Sequence, residues 1–143
     1  MKAELKIQEC SEPYAVIYTK EITDEVQRVL NYMRENSDAI IGSADDKSYV
    51  IGINEIIKAT VQNEHTYLHT GNGKYTTNKR LYEIKNILGN SFVQISKSVI
   101  VRISACKSVE ADFGGMLILH LKNGSREYVS RHYVPEFKKS IGL

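Results

Sequence analysis

Hydrophobic and polar positions alternate in short runs along most of this chain, and frequent turn residues cut those runs too short for long helices. Lys2 to Glu9 sets Ala3, Leu5 and Ile7 against Lys2, Glu4, Lys6 and Gln8, the alternation of a half-buried strand. After Glu12-Pro13, Tyr14 to Tyr18 reads as a second strand. A helical period then takes over, with Ile22, Val26, Val29, Leu30 and Met33 on one face. Thr23 can cap that helix, Asp24 and Glu25 suit its first turn, and Asn36-Ser37 ends it. Residues 1–46 are therefore predicted as a ββα extension, too small for a complete doubly wound domain.

Past a polar turn at Ser43 to Lys47 the pattern changes to many short β runs. Ser48 to Ile53 and Ile56 to Gln62 are separated by Asn54-Glu55, the bend Asn63-Glu64-His65 leads into Thr66 to Thr70, and Gly71-Asn72-Gly73 turns the chain into Lys74 to Thr77. One helix interrupts them. Leu81, Ile84 and Leu88 share its face, Thr77 or Asn78 can cap it, and Gly89 fits the left-handed position past its end. Ala105 to Ala111, Met116 to Leu121 and Ser125 to Val129 form a meander through turns at 112–115 and 122–124, and Pro135 opens a last short helix carrying Phe137 and Ile141. Such punctuation is that of a sandwich or barrel.

The centre of the pattern is Phe92 to Arg102. Phe92, Val93 and Ile95 precede, and Val99, Ile100 and Val101 follow, a polar island of Ser96-Lys97-Ser98. The branched and aromatic flanks favour buried strands, while a lysine between two hydroxyls cannot be buried without partners. The island is thus predicted as a loop held out on a rigid frame. Its donors suit a phosphate or a base edge, although a solvated turn satisfies the same residues.

Composition adds a constraint. Of the 143 residues, 42% are hydrophobic and 25% charged, the balance of a soluble globular chain with one ordinary domain and a small extension. No apolar stretch suggests a secretory leader or a membrane span, so the expected location is the cytoplasm. Cys10 and Cys106 stand far apart and outside metal-ligand spacing, which suggests reduced thiols. The net charge of +2 conceals an asymmetry: residues 1–46 carry five Lys/Arg against ten acids, and residues 47–143 carry fourteen against seven. The second part, at +7, is the one that attracts a polyanion.

Catalytic patterns are weak. His65 and His69 stand four apart, but on a strand that is roughly 13 Å, not a shared metal. Ser104 and Lys107 match S-x-x-K in the wrong context. Asn123-Gly124-Ser125 matches a glycosylation sequon and is more simply a turn. No catalytic residue, metal or cofactor is assigned. What remains are polar positions at strand ends: His65, the island Ser96, Lys97 and Ser98 with Arg102 nearby, and Ser130-Arg131-His132. Brought to one edge, His65, Lys97 and Arg131 could all donate to nucleic acid, and the arginine fork fits guanine.

The order of these features carries a resemblance. Ile56-Ile57 with the following bend and Tyr67, Leu81-Tyr82-Glu83-Ile84 before Leu88, Phe92 to Val101, Asn123-Gly124, Val129-Ser130-Arg131 and the terminal amphipathic segment make residues 47–143 resemble the LytTR-type DNA-binding domain of bacterial transcriptional regulators. That resemblance implies a mostly β fold of small packed antiparallel sheets, whose loops rather than a recognition helix enter successive major grooves of DNA bearing repeated elements. It matches His65, Lys97 and Arg131 to loops that reach bases, and Ser98 and Ser130 to backbone contacts. Family members often have histidine at the position of Ser96 and asparagine at that of Arg102, so the base preference does not carry over. Many also have a receiver domain, which 46 residues cannot hold. The chain looks like the stand-alone branch, linked by the resemblance to autoregulation and to membrane-protein partners. The expectation is a sequence-specific, double-stranded DNA-binding regulator acting as a dimer or as paired monomers. The alternative is a protein-interaction module working through the acidic extension.

Overall fold

The computed structural model describes residues 1–11, 13–35 and 39–143. By their contacts these divide into two units, residues 1–37 and 38–143, and each is described by itself.

In the first unit, helix α1 (Asp24–Glu35) forms as its pattern predicts. The Val26 N–H donates to Thr23 Oγ1 at 3.3 Å, so Thr23 is the cap, and Val26 is buried. The Met1 ammonium pairs with Glu25 at 2.9 Å and holds that carboxyl below its ordinary value. The predicted stop at Asn36-Ser37 lies outside the described residues. The two strands expected at Lys2–Glu9 and Tyr14–Tyr18 do not form among the described residues, so of the ββα extension only the helix is present. Leu5 is 86% and Ile7 92% exposed. Alternation marks a possible buried face, but a strand also needs a neighbour for its backbone N–H and C=O groups, and among the described residues no strand pairs with these segments.

The second unit is built of two antiparallel sheets. Strands β1 (Ala39–Ala44), β2 (Lys47–Gly52), β3 (Ile56–Gln62), β4 (His65–Thr70), β5 (Gly73–Thr77), β6 (Phe92–Ser96) and β7 (Val99–Arg102) form the larger, in the order β2-β1-β5-β4-β3-β7-β6. Strands β8 (Cys106–Ala111), β9 (Leu117–Leu121) and β10 (Arg126–Val129) form the smaller, in the order β10-β9-β8. This mostly β architecture agrees with the expected class. The polar turn expected at Ser43 to Lys47 narrows to Asp45-Asp46, because β1 pairs with β2 as far as Ala44 and Lys47. β1, which carries no clear alternation, belongs to the sheet.

Helix α2 (Leu81–Leu88) buries Leu81, Ile84 and Leu88 against one face of the large sheet, with Ile56, Ala59, Leu68, Phe92 and Ile100. Its cap is Arg80 rather than Thr77 or Asn78: the Arg80 N–H donates to Glu83 Oε1 at 3.3 Å, while Thr77 Oγ1 instead accepts from Lys79 N. Gly89 ends it at a φ of 68°, as the pattern requires. A second core joins Val93, Ile95 and Val101 to Leu119, Leu121 and Val129 of the small sheet and to Phe137 of α3 (Val134–Ser140). Phe92 and Ile100 therefore face one core, and their neighbours Val93 and Val101 the other. A strand pair covered on both faces needs apolar residues at consecutive positions, which explains the unbroken hydrophobic flanks of the island. Lys58 of β3 and Glu127 of β10 also join the sheets, with Nζ and Oε1 2.6 Å apart and side chains only 13% and 18% exposed.

Candidate nucleic-acid interface

The polar island leaves β6 and re-enters β7, with Lys97 exposed at its tip and Ser96 and Ser98 half-buried beside it. The Ser98 N–H donates to Ser96 Oγ at 3.2 Å, which draws the hairpin tight. On its far side the same loop meets the neighbouring hairpin: the Val61 N–H donates to the Ser98 carbonyl at 2.8 Å. β3 and β7 are paired there, Thr60 opposite Val99, so the loop after β3 must emerge at the same edge.

That loop is the two-residue turn Asn63-Glu64, with φ values of 50° and 66°. Two consecutive left-handed residues make the type I′ turn whose twist suits a tight hairpin. His65, read from sequence as part of the bend, is the first residue of β4 and pairs with Gln62. Its ring is exposed and meets Tyr67 edge-on, 6.5 Å between centroids. The Lys74 ammonium lies over the other part of this array, 4.1 Å from the Tyr67 centroid and 3.5 Å from Gln62 Oε1. Lys74 and Tyr67 thus bring a cation and a wall up behind His65, a support that loop-by-loop reading missed. The alternation of β4, which sets His65, Tyr67 and His69 on one side and buries Thr66 and Leu68, was the available signal.

The third loop is attached by a bulge. Gln94 pairs with Ile100 and Ser96 with Val99, so Ile95 is the extra residue of β6, with no opposite number on β7. Its carbonyl accepts the Ser130 N–H at 2.9 Å and lies 3.4 Å from the Ser130 hydroxyl. Ser130-Arg131 is thereby fastened beside the island at the end of β10, and Arg131 is exposed. Three loops, carrying His65, Ser96-Lys97-Ser98 and Ser130-Arg131, consequently stand in one row, each joined to the next by a backbone hydrogen bond.

Arg102 is not in that row. It stands at the opposite end of β7 from the island, roughly 10 Å from Val99 by strand rise. Its Nε donates to the Ile56 carbonyl at 2.7 Å and its Nη2 to the Ile53 carbonyl, with the guanidinium 4.6 Å from the Phe92 ring centroid. The sequence neighbourhood that grouped Arg102 with the island is undone by the direction of the strand. His69 likewise turns inward, bonded to Thr60 Oγ1 at 2.8 Å, and burial with Lys58 and Lys74 nearby lowers its pKa to about 4. Of the remaining chemistry, Cys10 and Cys106 are free thiols, and burial pushes the latter's pKa up. Asn123 Oδ1 accepts from Ser125 N and Oγ at 3.0 and 2.6 Å and so holds its own turn. Among the described residues no helix is long and apolar enough to cross a membrane.

Comparison with known proteins bears on the fold. The family model described as the LytTr DNA-binding domain matches residues 46–142. An uncharacterized HTH-type transcriptional regulator of Staphylococcus aureus (strain NCTC 8325 / PS 47) is 27% identical over 135 residues, covering 93% of this chain and 92% of that protein. A counterpart named in the same way from the bovine strain RF122 / ET3-1 is 28% identical over the same length. Among solved structures, the LytTr DNA-binding domain of a putative methyl-accepting/DNA response regulator from Bacillus cereus superposes with a TM-score of 0.70 at 22% identity, over 74% of this chain and 98% of that one. Among the described residues the helix-turn-helix of the relatives' names has no counterpart, since five strands separate α1 from α2 and another five separate α2 from α3.

Proposed function

This chain belongs to the LytTr DNA-binding domain family, and on that premise we propose that it is a cytoplasmic transcriptional regulator that reads double-stranded DNA sequence with loops in the major groove. Lys97 and Arg131 attract the duplex and, with His65, donate to base edges; Ser96 and Ser98 donate to phosphates, and Ser130, which donates to the Ile95 carbonyl, holds the backbone beside Arg131 and contacts phosphate only by exchanging its hydroxyl bond. One observation supports this reading above the others: the row of three loops held in register by Val61 N to Ser98 O and Ser130 N to Ile95 O. Pre-set donors of this kind lose little freedom on binding. The action is binding, and no catalytic step is assigned. Arg102 is left out of the contact set because its Nε and Nη2 donate to the Ile56 and Ile53 carbonyls at the opposite end of β7 from the island.

Two copies are proposed to bind repeated elements. The first unit, with Leu5, Ile7, Tyr14, Val16 and Tyr18 exposed, is the natural place for contact between copies or with a membrane-protein partner.

The test is selection from random duplex DNA at two salt concentrations, followed by sequencing. An enriched repeated element whose affinity falls with salt is expected, and Arg131→Ala should cost about 1–3 kcal/mol there and flatten discrimination at one position. Salt-sensitive binding with no enrichment would refute sequence reading. Equal weakening of Arg131→Ala on all sequences would reduce that residue to a phosphate contact.

A further inference from the structure

The row of loops does not end at Arg131. In the small sheet Leu117 of β9 pairs with Ala111 of β8 on one side and with Val129 of β10 on the other. The turn at 112–116 and the Ser130-Arg131 segment therefore leave that sheet at the same end. The turn is closed by Asp112 N donating to the Met116 carbonyl at 2.9 Å. Gly114 and Gly115 adopt left-handed φ values of 71° and 80°. A β-carbon on Gly114 would lie 3.2 Å from Arg131 Nη2, and one on Gly115 would lie 3.6 Å from Arg131 Cγ. The arginine side chain thus lies along the glycine backbone, and the tip of the turn holds Phe113, 93% exposed. A single exposed apolar side chain is ordinary. This one occupies the next place in a row of base-facing donors, beside the arginine.

We propose that the Asp112–Gly115 turn is a fourth DNA-reading loop, in which Gly114-Gly115 carry the Arg131 side chain and Phe113 packs on the C5-methyl group of a thymine next to the base that Arg131 reads. The inference rests on the DNA-binding reading above and adds to it an apolar, thymine-selective contact. An arginine that reaches guanine O6 and N7 is in the major groove, and the apolar group exposed on that groove's floor is the thymine methyl. A rigid ring of two torsions at the tip of a closed turn reaches it with little loss of freedom.

The experiment uses the full chain and the duplex that wild type selects from a random pool, with each thymine replaced in turn by deoxyuridine, which removes only the methyl. One thymine adjoining the position where Arg131→Ala loses discrimination should weaken wild-type binding about fourfold on replacement. Phe113→Ala should bind the unmodified duplex about tenfold more weakly and be indifferent to that replacement, and Phe113→Leu should fall between. Because the ring is exposed, unfolding midpoints of all three proteins should coincide. The inference is overturned if Phe113→Ala binds as wild type does, if it weakens yet keeps the deoxyuridine effect, or if no thymine adjoins the Arg131 base. Wild type that enriches no sequence would instead overturn the DNA-binding reading itself.

Discussion

Replacing Arg102 by methionine separates a folding role from a DNA-binding role. The substitution keeps the apolar stem over Phe92 and removes the guanidinium that donates to the carbonyls of Ile53 and Ile56. Hydrogen bonds from a charged donor contribute about 1.5–3 kcal/mol each, and the cation over the ring adds about 0.5–1 kcal/mol at a partly exposed site. Ile56 is fully buried, so its carbonyl is poorly rehydrated once the donor is gone. Water can recover part of the loss at Ile53, which is only half-buried. The expected destabilisation is about 2–4 kcal/mol, a fall of about 1–2 M in the urea midpoint at the usual slope for a domain of this size. Arg102→Lys should recover less than half of it, since a single ammonium cannot span two carbonyls in the fork geometry. Measured in parallel, the affinity of the folded variant for a selected duplex should stay within about twofold of wild type, because Arg102 lies at the far end of β7. A variant of unchanged urea midpoint that has lost its affinity would refute this placement and return Arg102 to the DNA surface.

Two further outcomes follow from the same geometry. Ser130 has φ −69°, which proline adopts without strain, so Ser130→Pro should remove both the N–H and the hydroxyl that donate to the Ile95 carbonyl and loosen the third loop. It should cost about 1–3 kcal/mol in urea unfolding, together with discrimination at the Arg131 position; retained discrimination would mean the loop is held by something else. For His69, the folded pKa near 4 lies below the ordinary 6.5, so the unfolded chain binds the proton more readily. Stability should be complete above pH 6.5 and decline as pH falls from there towards 4. Allowing for a half-exposed ring, the decline is about 1–2 kcal/mol, and a His69→Gln protein should show a correspondingly flatter profile in urea melts across that window.

Several features were legible in the sequence because they depend on local periodicity. The second unit's short strands and their turns, the helix at Leu81–Leu88, the capping by Thr23 and the turn at Lys97-Ser98 all follow from spacing and from residues that suit special backbone conformations, although Ser96, expected in that loop, ends β6 and pairs with Val99. The failure at Lys2–Glu9 and Tyr14–Tyr18 has the opposite origin. Alternation describes one strand, whereas forming it requires a partner that no local pattern reports.

The candidate site divides along the same line. Residue type at loop positions was enough to nominate His65, Lys97 and Arg131, since a charged or polar tip between apolar runs must face outward. Only tertiary structure decided that their loops share an edge, because that depends on strand order, on the pairing of Thr60 with Val99, and on a bulge that frees the Ile95 carbonyl for Ser130. It also placed Arg102, five residues from Lys97 in sequence, at the other end of β7, and the turn bearing Phe113 beside Arg131. A sequence specifies which groups can reach solvent through forces a few residues in range; which of them meet is set by long-range hydrogen-bond register, and that exists only once the sheets have formed.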